Sequence, residues 1–278
     1  MVLYELMRPE QIVRARAAAP VAYVPIGPLE WHGPHLPLGL DGLHAHEVAV
    51  RAAHVAGGVV LPTLFAGTET VRQPGPGPQS LATLGLPRDA RVVGMDFPGH
   101  AVRSTYAEES SFGVTVRELV AGLLSGGFRI VILVNGHGAP NHQATLRRIA
   151  AEADRPGARR VAYHLAFLPD PGARGPGHAA REETAIALAL CPGQVRCDLL
   201  PPLDVPLRYA DHGIVDARAF DGEPAPGHAL PIDDHPRAAT ADDGDALLRR
   251  EGRALAERVL ELVGGEAAGP TADAQDAG

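Results

Sequence analysis

The sequence predicts an α/β fold, a three-layer α/β/α sandwich around a mostly parallel central sheet. Apolar runs of strand length alternate with segments of helical character along most of the chain. The clearest strands are residues 21–27 (VAYVPIG) and residues 128–134 (FRIVILV). Strands separated by helices are typical of parallel sheets, because a parallel connection needs a crossover of helical length.

The remaining elements follow from apolar periodicity and from Gly and Pro punctuation. Further strands are predicted at residues 59–64 and 160–167. One helix should start near Asp41, a residue type favoured at the N-cap, and others are predicted at residues 114–124, 141–153, 182–190 and 244–263. Residues 66–111 are predicted to be a long loop, and such loops often form a lid or a pocket wall. We expect one domain over residues 1–263 and a disordered acidic tail at 264–278.

Composition excludes some classes of protein. The chain has 278 residues and a formal net charge of -8, which argues against a broad nucleic-acid-binding face. It has no apolar run of about 18 residues, so no membrane partner is expected. The start of the chain lacks the apolar stretch of a signal peptide, and the chain has only two cysteines. A cytoplasmic location is therefore expected.

Residues 30–41 (EWHGPHLPLGLD) hold the strongest chemical signal. They carry Glu30, His32 and Asp41, and divalent ions such as Zn²⁺ and Mn²⁺ take this mixture of oxygen and nitrogen ligands. Glu30 and His32 are two residues apart, so in an extended segment they point to the same side. The alternative is a solvated polar loop.

Two further segments carry candidate ligands. His137 directly follows the most apolar strand, where active-site loops of α/β proteins gather. Residues 178–185 (HAAREETA) place His178 before Glu182 and Glu183. Acids at a helix start also favour the helix dipole, so a purely structural role for this acidic pair stays open.

Together these segments resemble the creatininase (creatinine amidohydrolase) family. Residues 30–41 match its Glu-x-His-Gly-x-His-Leu-Pro-x-x-x-Asp signature, and residues 134–138 (VNGHG) resemble its Asn-Gly-His-Gly-Gly-Asn turn. HAAREETA is similar to its His-Ala-Gly-x-x-Glu-Thr-Ser pattern. Departures include an extra residue before Asn141, and Gly138 and Ala139 where creatininase itself has an acidic ligand.

The resemblance implies a centre of two divalent ions per chain, with Zn²⁺ as the first choice and Mn²⁺ or Fe²⁺ as alternatives. By this resemblance Glu30 and His137 bind one ion, His32 and Glu183 bind the other, and Asp41 bridges them. Glu182 is the alternative to Glu183. The family also implies a homo-oligomer, commonly a hexamer.

Two ions that share a water can present it as the nucleophile that hydrolyses a C–N amide bond. His178 is the candidate general acid for the leaving nitrogen, since an imidazole exchanges protons near neutral pH. The alternative is a metal-binding homologue without catalysis, with a role in assembly or regulation. A nucleotide-binding protein is disfavoured, because no Gly-rich loop follows the first strand.

The expected substrate is an amide of a small molecule or a short peptide. Creatinine is disfavoured, because creatininases resemble one another in enclosing the ring with several tryptophans and Trp31 is the only tryptophan here. Arginines of the long loop either meet an anionic substrate or are surface charges: Arg72, Arg88, Arg91 and Arg103. Residues 204–243 form either a pocket wall for a neighbouring subunit or an acidic surface loop, with His212, His228, Asp233, Asp234 and His235 as its polar members.

Overall fold

A four-stranded parallel sheet forms the centre of the computed structural model. The structure describes residues 2–71, 91–97, 100, 102–168, 177–200, 207, 209–210, 213–214 and 234–267. The sheet order is β2-β1-β3-β4, and every neighbouring pair runs parallel. Its strands are β1 (Val21–Ile26), β2 (Val59–Val60), β3 (Ile130–Asn135) and β4 (Arg160–Leu165). A separate antiparallel pair consists of β5 (Tyr209–Ala210) and β6 (Gly213–Ile214).

Helices cover both faces of this sheet. They are α1 (Pro9–Ala18), α2 (Leu40–Ala56), α3 (Glu109–Ser125), α4 (Pro140–Ala153), α5 (Arg181–Leu190) and α6 (Ala241–Ala267). Short 3-10 turns lie at Tyr4–Leu6, Pro192–Gln194, Cys197–Leu199 and Pro236–Ala238. Apolar residues of α2, α5 and α6 pack on one face, and those of α1, α3 and α4 pack on the other. The predicted three-layer sandwich is thus confirmed.

Alternating residues of the central strands divide the core in two. Val21 and Tyr23 face the layer of α2, whereas Ala22 and Val24 face the layer of α3. Both faces of β1 and β3 are buried, because helices cover the sheet on each side. None of the helices in the described part of the chain has the length and the apolar character that a membrane crossing requires.

Several element boundaries differ from the predictions. The second strand stops at Val60, because the register changes after Leu61. Leu61 N donates to Tyr23 O at 2.9 Å, and a continued ladder would pair Thr63 N with Pro25 O, but Leu64 N donates to Pro25 O at 2.9 Å instead. Helix α3 begins at Glu109, where an acidic side chain in the first turn suits the helix dipole. Helix α1 was not predicted at all.

Two helix ends bear on predicted functional or terminal segments. Helix α2 begins at Leu40, so Asp41 lies in its first turn and Gly39 holds the N-cap position. Helix α6 runs to Ala267, four residues into the segment predicted to be a tail. Gly264 and Gly265 lower helix propensity by about 1 kcal/mol each but keep their backbone donors, so they do not end the helix. Residues 268–278 of that tail lie outside the described residues.

Candidate metal centre

Polar side chains gather at the carboxyl ends of β1 and β3, where the first turn of α2 closes against both strands. Gly136 N donates to Ile26 O at 3.0 Å, which joins the two strand ends. A Cβ on Gly136 would lie 2.0 Å from the backbone oxygen of Asp41. The lack of a side chain at this position therefore lets Asp41 approach the strand ends.

The Asp41 carboxylate lies between two imidazoles. Its Oδ1 is 3.0 Å from His32 Nε2, and its Oδ2 is 3.0 Å from His137 Nδ1. Asp41 is 3% exposed, and the two histidines are equally inaccessible. Each oxygen of one buried carboxylate thus faces a different ring.

Two further acids complete the cluster. Glu30 Oε2 lies 3.4 Å from His137 Nδ1, and Glu183 Oε2 lies 3.7 Å from His32 Nε2. Among the described residues, three sets of donor atoms lie close enough together to bind one ion each, and we call them ion-sized groups. They are Glu30 with Asp41 and His137, His32 with Asp41 and Glu183, and Glu30 with His32 and His178. The first two groups share Asp41.

The distances and the donor chemistry fit divalent ions. Ligand bonds to Zn²⁺ are about 2.0–2.2 Å long, so ligands of one ion lie within roughly 4.4 Å of one another. Asp41, Glu30 and Glu183 are all buried, and a buried carboxylate is costly unless a positive charge compensates it. Divalent ions would supply that charge. The prediction that the chain binds divalent metal is therefore supported.

The pKa values of the cluster reflect the same demand for positive charge. Burial alone would lower the pKa of His32, but the charges of Asp41 and Glu183 outweigh burial and raise it to about 10. Burial alone would raise the pKa of Asp41, but the two neighbouring imidazoles hold it far below its usual range. The cluster therefore draws positive charge toward its carboxylates.

Backbone and amide hydrogen bonds fix the orientation of the rings. His32 Nδ1 lies 2.9 Å from Glu30 O, and since a carbonyl only accepts, Nδ1 carries the proton and Nε2 faces the acids. Asn135 brackets His137: its Oδ1 accepts from His137 N at 2.9 Å, and its Nδ2 donates to His137 O at 2.7 Å. His32 thus turns a lone pair toward the carboxylates when it is neutral, and Asn135 fixes the backbone from which the His137 ring extends.

His178 lies beside the cluster. Its Nε2 donates to the backbone oxygen of Trp31, so the second ring nitrogen, Nδ1, faces the acids. Nδ1 is 3.7 Å from Glu30 Oε2 and 3.9 Å from Glu183 Oε2. The side chain is 11% exposed, which makes it the most accessible imidazole of the group.

The structure thus brings together all six residues singled out in the sequence: Glu30, His32, Asp41, His137, His178 and Glu183. Glu182, the rival of Glu183, is only half-buried and belongs to none of the ion-sized groups found in the described residues. Helix α5 turns Glu183 inward, where its Oε2 accepts from Ala179 N at 2.5 Å.

The residues of the predicted loops are more scattered. Arg91 and Arg103 are exposed, whereas Arg72 and Arg88 lie outside the described residues. His235 is buried and accepts from Arg237 N at 3.1 Å, and Asp234 is exposed. His212, His228 and Asp233 also lie outside the described residues.

Two side chains that touch the cluster were not predicted as site residues. Tyr106 donates a short hydrogen bond to Glu30 Oε1, and Glu69 Oε1 lies 3.9 Å from His137 Nε2. Burial, with the Glu30 charge added, raises the pKa of Tyr106. Glu69 and Tyr106 both lie in the predicted long loop of residues 66–111, and the sequence analysis assigns neither of them as a ligand.

Fold and cluster define an α/β protein with a candidate divalent-metal centre. The family model described as creatininase, creatinine amidohydrolase, matches residues 5–86 and 93–259. The chain therefore belongs to the creatininase family, and the resemblance seen in its motifs is confirmed.

Individual relatives agree with this assignment. A creatinine amidohydrolase of Pseudomonas putida is 29% identical over 133 residues, which are 48% of this chain and 43% of that protein. The chain thus spans under half of that relative's length in the match. A crystal structure of creatininase has a TM-score of 0.65 at 22% identity, with 97% of this chain and 99% of that chain covered. A manganese form of creatininase has a TM-score of 0.61 at 21% identity, with 94% and 98% covered. At these identities the structures show the fold alone.

The close approach of Gly136 to Asp41 gives a stability prediction. Gly136→Ala should destabilise the chelator-treated protein by roughly 1–3 kcal/mol or more, because the new methyl group overlaps the Asp41 backbone. The matched control is Gly138→Ala, since a Cβ there meets nothing within 4 Å. Urea unfolding of both variants measures the difference, and equal stabilities would contradict the packing described here.

Proposed function

We propose that the chain is a metal-dependent amidohydrolase that cleaves a C–N amide bond of a small molecule or a short peptide. One observation carries the proposal: the two oxygens of the buried Asp41 face two different imidazoles at 3.0 Å each. Glu30 adds a carboxylate on one side, and Glu183 adds one on the other. In this proposal Glu30, Asp41 and His137 hold one ion, and His32, Asp41 and Glu183 hold the other.

Two divalent ions bound here would supply an activated water as nucleophile and a Lewis acid for the substrate carbonyl. Other groups of the chain fix the orientation of the proposed ligands. His32 keeps its Nδ1 proton on Glu30 O, and Asn135 fixes the backbone around His137. Groups that are already fixed need not rearrange during the reaction, and this is the basis of electrostatic preorganisation. We propose Zn²⁺ as the natural ion, with Mn²⁺ or Fe²⁺ as alternatives.

His178 is the proposed general acid, and Nδ1 is the atom that moves the proton. Nε2 stays committed to Trp31 O, so only Nδ1 can accept a proton and pass it to the leaving nitrogen. Nδ1 lies 3.7 Å from Glu30 Oε2 and 3.9 Å from Glu183 Oε2, which places it beside the proposed ions. His178 also forms an ion-sized group with Glu30 and His32, which makes a ligand role the rival assignment.

Creatinine is not the proposed substrate. Trp31, the only tryptophan of the chain, is 7% exposed and stacks on His100 with ring centroids 4.2 Å apart. An indole buried in this way is not available to enclose a small flat ring. A creatininase variant has been solved in complex with creatine, and this supports a small-molecule substrate for the family fold. A homo-oligomer, possibly a hexamer, and a cytoplasmic location remain predictions.

Replacing the shared carboxylate tests the metal centre. Purified wild-type protein should hold close to two divalent ions per chain, and Asp41→Ala should lose both because Asp41 contacts both candidate groups. Asp245→Ala is the matched control, since Asp245 pairs with Arg51 on the surface of α6. Elemental analysis measures the ions and circular dichroism checks folding. Full metal content in folded Asp41→Ala protein would show that Asp41 does not bridge.

Amine release from small N-acyl amides and short peptides tests catalysis in the same preparations, and formation of creatine from creatinine, a ring opening that releases no amine, serves as the reference reaction. Hydrolysis that chelator abolishes and added metal restores supports the amidohydrolase. Two bound ions without hydrolysis of any amide would favour the non-catalytic homologue.

His178→Asn separates the two assignments of that histidine. For a general acid, kcat on an amide that the wild type hydrolyses should fall by about 10²- to 10⁴-fold with metal content unchanged. His54→Asn is the control, because His54 lies near the exposed end of α2. A loss of one ion per chain would instead identify His178 as a ligand.

A further inference from the structure

A short arm of chain covers one side of the metal centre. We call it the outer arm: it consists of residues 67–71 and of the described residues between 92 and 106. Its two parts pair, since Val71 and Val93 form an antiparallel bridge and Gly94 N donates to Thr70 O at 3.1 Å. Thr105 N donates to Leu29 O at 2.8 Å, and this bond anchors the arm beside residues 30–41. None of the five proposed ligands belongs to this arm.

Tyr106 is the first contact of the outer arm with the centre. Its hydroxyl oxygen accepts from Met95 N at 3.1 Å, so its single proton is directed to Glu30 Oε1. With Oε1 held in this way, Glu30 turns Oε2 toward His137 Nδ1, 3.4 Å away. Tyr106 therefore selects which oxygen of Glu30 reaches the proposed ion.

Glu69 is the second contact. His137 turns Nδ1 toward Asp41 and Glu30, so in the neutral ligating ring the proton resides on Nε2. His137 Nε2 is buried and makes no hydrogen bond in the described part of the chain, and Glu69 Oε1 lies 3.9 Å from it. Glu69 Oε2 already accepts from Thr70 N at 2.6 Å. The other oxygen of Glu69, Oε1, thus faces the ring proton that a metal-bound His137 would carry.

The backbone of the arm holds these two side chains together. Gly94 has a φ of +53°, and a Cβ there would lie 2.6 Å from the Tyr106 hydroxyl oxygen and 2.7 Å from Glu69 Cγ. A larger residue would push both side chains away from the centre. Tyr106 and Glu69 are therefore placed by one local structure.

Among the described residues, the outer arm makes no contact of this kind with the ligands His32 and Glu183 of the other ion. His32 Nδ1 is satisfied by Glu30 O at 2.9 Å, and Glu183 Oε2 accepts from Ala179 N. Both partners are backbone groups close to the ligand in sequence. The two proposed ions thus differ in the groups that orient their ligands. Side chains of the outer arm contact the ligands of one, whereas backbone groups, with His178 Nδ1 at 3.9 Å from Glu183 Oε2, contact those of the other.

We propose that Glu69 and Tyr106 are positioning residues for one ion only, the ion held by Glu30, Asp41 and His137. The proposal rests on the two-ion centre proposed above. Carboxylates that accept the second ring proton of a metal-bound histidine raise its basicity and fix its orientation, and their loss usually weakens metal binding by about 10- to 100-fold. The outer arm therefore acts mainly on the affinity of the ion held by Glu30, Asp41 and His137.

This proposal is tested by titrating the metal-free full-length protein with Co²⁺ alone. Calorimetry measures the binding steps, and visible absorption reports the coordination of the ion. Wild-type protein should show two binding steps. Tyr106→Phe and Glu69→Gln should each weaken one step by about 10- to 100-fold and change its absorption, while the other step stays within about threefold.

The controls are Tyr23→Phe, which removes a hydroxyl bonded to Gly57 O away from the centre, and Glu109→Gln, which removes a carboxylate bonded to Thr145. Both should keep two wild-type steps. Unchanged steps in both arm variants, or an equal loss of both steps, would overturn the proposal. If one variant fails to fold, the other decides. Fewer than two steps in wild-type protein would instead refute the two-ion centre itself, and the proposal with it.

Discussion

The carboxylate of Asp41, shared between two imidazoles, is the contact on which the rest of the site depends. Its oxygens lie 3.0 Å from His32 Nε2 and 3.0 Å from His137 Nδ1, in a place that is almost closed to water. A buried acid is tolerated only when it is paired, so the surrounding structure must supply positive charge at both oxygens. This requirement explains why three acids and three imidazoles lie so close together.

The parallel sheet brings the required groups together, because it places the ends of neighbouring strands at one edge. The carboxyl ends of β1 and β3 are hydrogen-bonded neighbours, so the loop after each strand emerges at the same edge. The first turn of α2 closes on this edge because Gly136 leaves room for the Asp41 backbone. Ligands from distant parts of the sequence thus meet where these strand-end loops face the first turns of α2 and α5, while the outer arm adds contacts from further loop segments.

Most of the proposed ligands could be predicted from the sequence, because they are concentrated in short segments. Glu30, His32 and Asp41 lie within one motif, and His137 follows an unmistakably apolar strand. Glu183 could not be separated from Glu182 on pattern alone, since only the rotation of α5 decides which acid is buried. Tyr106 could not be found, because its contact with Glu30 spans 76 residues and depends on how the outer arm folds.

The fold was predictable for a related reason. Strand and helix types follow from periodicity, whereas boundaries depend on local features such as the register change after Leu61 and on tertiary contacts of helix ends. Membership of the creatininase family then sets the expectation of an amidohydrolase, and the arrangement around Asp41 gives that expectation a physical basis in this chain.

Anomalous diffraction from a crystal of the zinc-loaded protein, measured at the zinc absorption edge, would test the central claim most directly. We expect two peaks about 3.5–4 Å apart, one beside each oxygen of Asp41, with His137 next to one and His32 next to the other. A single peak, or a pair in which Asp41 touches only one ion, would contradict the account.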